Sequence, residues 1–218
     1  MKRTIRIGIT ILLLVMGCVI AYEKHSNRIM ASEADQKIVA KINSDTITEE
    51  DLDFYKVINR IQVEMNREAD RNRLQGKELE ESISFWNNQE KAAMDRNTLL
   101  TQMIRLHAAA LLAKEKGYTA SEAEVKKEMD DVKQIYGKEP NALKMIKAYG
   151  EKRFWNKEFS QYQLIVLSKK VQLDVMNQVK KANTKAEEKE IYFLANKKYE
   201  ELLISQIGTL KIAFVNNR

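Results

Sequence analysis

The chain has 218 residues, 44% of them hydrophobic, with one proline and seven glycines, enough to bury one core; so few breakers exclude an all-β fold and favour long helices. Its net charge of +6 overstates the basicity of the body, because without the acid-free residues 1 to 22 there are 34 basic residues against 31 acidic ones. That balance is too even for a phosphate-binding surface, so no nucleic-acid partner is expected.

The opening MKRTIR precedes IGITILLLVMGCVIAY, sixteen residues without a charge, and then Glu23-Lys24-His25. A basic start, an apolar middle and a polar exit make an export signal. At about 1.5 Å per residue the apolar run spans roughly 24 Å, short of a hydrocarbon core of roughly 30 Å but tolerable in a thin membrane. Three fates stay open. Cleavage after Ala21 gives a secreted chain starting at Tyr22; Val15-Met16-Gly17-Cys18 is similar to a bacterial lipobox, which makes Cys18 a lipidation candidate; or the segment stays as an uncleaved anchor. All three place the body outside the cytoplasm, and the last two hold it at the membrane. Residues 23–36 then form a polar tether and residues 37–218 the body.

Cys18 is the only cysteine, and His25 and His107 are the only histidines. The body therefore has no disulfide, thiol nucleophile or thiolate ligand, and neither a metal nor another cofactor is expected. The body opens with IVAKI, where Ile38, Ala40 and Ile42 alternate with Val39 and Lys41 as in a strand. The polar tetrad Asn43-Ser44-Asp45-Thr46 follows as a turn. Thr48 and Asp51 have capping-box spacing, and a first helix runs from there to about Leu74, with Leu52, Tyr55, Ile58, Ile61 or Gln62, and Met65 on one side. Gly76 ends that neighbourhood. Glu80 to Met94 is helical in composition, with Phe85 and Trp86 as its main apolar content.

NTLLTQMIRLHAAALLAKEKG is the most decisive segment. Leu100, Met103, Ile104, His107, Ala108, Leu111 and Leu112 follow helical spacing, and Leu99, Leu106, Ala110 and Ala113 cover a second side. A helix this apolar must be central. His107 falls on its stripe as a hydrogen-bonded histidine at the core edge. Gly117 closes the helix, Ser121 with Glu124 opens another through Tyr136, and Pro140 suits the first turn of the next, which ends near Gly150. Glu151 to Ile207 lacks both Gly and Pro; Asn183-Thr184 with Glu187 is similar to a fresh cap, so two helices are expected with a break there. Leu210, Ile212 and Phe214 then alternate with Lys211, Ala213 and Val215 as a closing strand. That strand can pair with Ile38 to Ile42, joining both ends of the body in a two-stranded ribbon that leans on the helices. Exchange of such short strands between two copies would give a homodimer.

VAKINSDTITEEDLDFY resembles the opening of the SurA-type N-terminal domain of bacterial extracytoplasmic chaperones and PrsA-like foldases. GYTASEAEVKKEM resembles that family's next landmark, YGEKRFWNKEFSQYQLIVLSKKV its long arm helix, and TLKIAFV its closing strand. The resemblance covers roughly residues 37 to 216. It implies a mainly α fold, a multi-helix bundle with a long arm helix, that binds unfolded or exported polypeptides. Members often insert a parvulin isomerase domain where this chain has only VKKANTKAEEKE, and the paired histidines of parvulin catalysis have no counterpart here. The resemblance thus implies a chaperone module alone and no enzyme.

No Gly-rich phosphate loop is present, so binding without ATP is expected, with a dedicated adaptor or assembly factor holding one partner in an envelope complex as the alternative. Met and aromatic side chains adapt to irregular apolar partners. Most are expected to fill the core, and Phe85, Trp86, Met103, Phe154, Trp155 and Tyr162 are the candidates for client binding, in a cleft between the central helix, the Trp86 segment and the long arm. The acidic pairs Glu49-Glu50, Asp130-Asp131 and Glu187-Glu188 point about 100° apart on a helix, so none converges on one atom and no catalytic residue is expected. Lys169, Lys170, Lys180, Lys181, Lys185 and Lys189 make a solvated face, or one attracted to an anionic envelope.

Overall fold

The structure is a computed structural model and describes residues 37–215. The segments expected to be an export signal and a tether, and Cys18, lie outside the described residues. Among the described residues the protein is mainly helical, with seven helices and three short strands. Strand β1 (Ile38–Ile42) and β2 (Asp45–Thr48) form a hairpin, and β3 (Ile212–Phe214) pairs with β1 on its other side. All pairing is antiparallel, with Ala40 opposite Phe214 and Ile42 opposite Ile212. The ends of the body are therefore joined as expected, but in a three-stranded sheet.

The extra strand corrects the expectation of a polar turn from Asn43 to Thr46. Only Asn43 and Ser44 turn; Asp45 and Thr46 pair with Ile42 and Lys41. Asn43 takes φ 54°, in the left-handed region that Asn tolerates better than most residues. A second departure concerns Val39, which alternation puts opposite Ala40. The register slips between Ile38 and Ala40, and such a bulge lets both Val39 and Ala40 enter the core.

Helix α1 (Glu49–Arg71) begins at the expected box: the Thr48 hydroxyl accepts from Asp51 N–H, and Asp51 accepts from Thr48 N–H at 2.9 Å. Helix α2 (Gly76–Ala93) starts at Gly76, with φ 55°, so that glycine opens the second helix rather than ending the first neighbourhood. Helix α3 (Arg96–Glu115) is the central one, packed against helices on several sides. Its end is a Schellman turn: Tyr118 N–H donates to Ala113 O and Gly117 N–H to Lys114 O, both at 2.9 Å, while Gly117 takes φ 81°.

Helix α4 (Glu122–Tyr136) has the second capping box, from Ser121 and Glu124, and α5 (Pro140–Tyr149) carries Pro140 in its first turn. Gly150, at φ 98°, is both the end of α5 and the start of α6 (Glu151–Ala182), so the chain turns a corner within one residue. A side chain there would be held in the left-handed region. The 32 residues of α6 make a rod of about 48 Å. Helix α7 (Glu188–Thr209) follows the expected break, for a different reason than expected: Asn183 caps the end of α6, its amide donating to Val179 O at 2.9 Å, and the α7 cap, Glu187, makes no side-chain bond.

Three main bodies of core follow from this order. The sheet, the start of α1 and the first half of α3 bury Ile42, Ile47, Leu52 and Leu99. Helices α1, α4, α5 and the start of α6 enclose rings, with Phe154 at the centre of Phe54, Tyr136 and Tyr149. The second halves of α3 and α6 and the first half of α7 bury Ala113, Val171, Val175 and Ala195.

Candidate functional site

The six side chains expected to bind clients occupy three separate places, on α2, on α3 under the sheet and on the first half of α6. Phe85 and Trp86 sit on α2, which packs chiefly along α1 and buries only Ala93. Polar bonds hold this hairpin: Asn59 Nδ2 donates to Ala93 O at 3.0 Å, and Arg67 donates to Glu90 at 2.7 Å and to Asn87. Trp86 is half-buried, its Nε1 donating to Asp70 Oδ2 at 2.8 Å, an oxygen that Ser82 also reaches. Arg73, Ser82 and Trp86 together pull the Asp70 carboxyl down to about 2. Phe85, 51% exposed, stands edge-on to Trp86.

The other four lie deeper. Met103 is 4% exposed in the core under the sheet and Phe154 is fully buried among rings. Both are packing residues here, which corrects their place among the client-binding candidates. Trp155 is half-buried, stacked edge-on to Phe154 with Lys133 Nζ 5.4 Å from its ring centre. Tyr162 packs half-buried beside Val125, Met129 and Val166.

Among the described residues the expected apolar cleft is not one of the principal hollows; α3 and α6 pack directly on each other along much of their length and α2 stays on α1. A hollow of about 720 Å³ at the start of α6 is instead lined by charged and polar groups, including Glu50, Arg153, Asn156, Lys157 and Ser160. Its walls are ion-paired: Arg153 donates to Glu50 at 2.7 Å, and Lys157 to Asp51 at 2.5 Å. Burial raises the Asp51 carboxyl, but the bonds from Lys157 and Thr48 outweigh it and leave it below its ordinary value.

Apolar surface is found elsewhere. Phe193 and Ile204 on α7 are 68% and 56% exposed, and Phe214 on β3 is 54% exposed. Eleven residues of helix turn through almost whole revolutions, so Phe193 and Ile204 share one side of α7, about 16 Å apart. The opposite side carries buried Ile191, Ala195 and Gln206, and Leu203 is buried on the flank between. Sequence reasoning misses these residues, although the sequence holds the sign: Ile191-Tyr192-Phe193-Leu194 and Leu202-Leu203-Ile204 are consecutive apolar runs, and a helix packed on one side cannot bury every member of such a run.

His107 lies at the core edge, its Nδ1 3.1 Å from Asp45 on β2. Among the lysines expected to be solvated, Lys169 and Lys170 pair with Glu128 and Glu124 of α4, whereas Lys180, Lys181, Lys185 and Lys189 are exposed. Among the described residues, no His, Cys, Asp or Glu cluster is placed to hold a metal, and no helix is long and apolar enough to cross a membrane. Neither a family model, nor a curated protein, nor a solved structure matches this chain.

Proposed function

We propose that this protein is a SurA/PrsA-like chaperone domain without an isomerase, held at the outer side of a bacterial membrane, that binds unfolded or exported polypeptides without ATP. The observation that carries the reading is the exposed pair Phe193 and Ile204 on the free side of α7. The joined terminal strands and the two capping boxes, which match the landmarks of the resemblance, add support. The client surface therefore moves from a cleft near Trp86 and Trp155 to the outer side of α7, with Phe85 as a second exposed contact.

Energetics favour brief contacts. Covering two such side chains gains about 1.5–3 kcal/mol each, and ordering a flexible client opposes that gain. A client is held weakly and leaves when its own folding hides its apolar segments. The adaptor reading draws on a specific feature as well: an apolar pair on an open helix side, outside any groove, also suits a complementary patch on one folded partner.

Photo-crosslinkers at positions 193 and 204 test both readings. Adducts with two unrelated, permanently unfolded test proteins are expected for a chaperone, with far fewer from a control at Lys138. Adducts with a single stoichiometric envelope protein, and none with the unfolded test proteins, would establish the adaptor. No adduct of either kind would overturn both.

A further inference from the structure

We propose that Glu158, on the buried side of α6, is a proton-binding site whose bound proton holds α6 closed against α1 and α4. Glu158 is 2% exposed, and its Oε2 has no hydrogen-bond partner. One turn further along the same side, Gln161 is 7% exposed and its Oε1 is also unpartnered. Two buried acceptors without donors are a costly arrangement. A protonated Glu158 is a donor as well as an acceptor, and it carries no charge to bury.

The surroundings provide no other counter-charge. From α1 the junction receives Tyr55, with Asp51 beyond it; from α4 it receives Tyr136, with Glu128 and Asp131 near Tyr162; Tyr162 comes from α6 itself. Each of the three tyrosines is pushed up, by burial first and by Glu158 second. Nearby basic side chains have partners of their own: Lys157 pairs with Asp51, Lys133 lies over the Trp155 ring, Arg105 pairs with Glu200 and Lys169 with Glu128. Burial alone pushes the Glu158 carboxyl up to about 8.

Ionisation at this place leaves a charge that only water can relieve, and water reaches it only if α1 or α4 moves off α6. The sign follows from linkage. A carboxyl raised from 4.5 to about 8 in the folded state stabilises the closed form fully below the lower value and loses that contribution as pH rises toward the upper one, up to tenfold in the equilibrium per pH unit.

The test uses the full chain in detergent micelles with carbon-13 at the Glu carboxyl carbons. One resonance is expected to titrate near pH 8 and to vanish in Glu158→Gln. In urea unfolding, the folded-to-unfolded ratio of the unsubstituted protein should fall several-fold for each pH unit between 4.5 and about 8, and Glu158→Gln should abolish most of that slope. Titration of every Glu near its ordinary value, or an unchanged slope in Glu158→Gln, would overturn the proposal. Should the Gln variant not fold, the titration of the unsubstituted protein decides alone.

Discussion

Single side chains determine where this fold is sensitive. Asn43 adopts the left-handed turn, donates its N–H to Lys211 O at 2.9 Å and accepts Lys211 N–H on its side chain, also at 2.9 Å. It thus ties the hairpin to the chain entering β3. Asn43→Ala should cost about 1–3 kcal/mol in urea unfolding, from the lost bond and the strained turn, and Asn43→Gly should cost less because it removes only the bond. Glu158 and Asp51 act in opposite senses with pH. Asp51 is lowered from 3.8, so its contribution is lost as pH falls below that value; Glu158 is raised to about 8, so its contribution is lost between 4.5 and about 8. Stability should therefore peak on the acid side of neutrality. Replacing Glu158 by Gln should gain of the order of 3–5 kcal/mol in mildly alkaline buffer and almost nothing near pH 4. The sequence offers a hint of this residue, since Glu158 lies four positions after Phe154 and seven before Ile165 on one helical stripe, but spacing alone cannot tell whether a partner cation covers a buried acid.

Helix boundaries are legible wherever a side chain closes its own backbone. Thr48 with Asp51, Ser121 with Glu124, Gly117 and Pro140 all mark ends that the structure places there. These are local interactions, complete within four or five residues, which is why the residues alone reveal them. The second strand is not legible, because Asp45-Thr46-Ile47-Thr48 has little apolar content and becomes a strand only by pairing with β1; tertiary context overrides so short a propensity. The cap at Asn183 misleads for a related reason: an Asn at a helix break can serve either helix, and here it serves the preceding one. Gly150 joins two helices at φ 98°. Gly150→Ala should destabilise by about 1–2 kcal/mol from backbone strain, measured as a lower urea midpoint with an unchanged m-value. The cost is conformational and not a clash, since a methyl at that position would meet its nearest neighbour, Arg153 Cβ, at an ordinary 3.8 Å.

At the scale of the molecule, helices from distant parts of the chain meet through α3 and α6, and the two ends close on each other through β1 and β3. The mainly α class and the end-to-end pairing follow from apolar periodicity and from the alternation at Ile38 and Ile212. The client cleft does not follow, because whether facing helices leave a gap depends on how side chains of several helices interdigitate, which no single helix pattern encodes. Removal of residues 210–218 takes away β3 and Leu210, which packs on two bodies of the core; the truncated chain should unfold at a markedly lower temperature and lose hydrogen-exchange protection first in β1. The central claim, that the free side of α7 holds unfolded chains, is tested most directly by aggregation of two unrelated, chemically unfolded proteins monitored by light scattering. The protein should slow both, and Phe193→Ser with Ile204→Ser should lose most of that protection while keeping the same unfolding midpoint. Equal protection by the double variant, or none by the unsubstituted protein, would contradict the account.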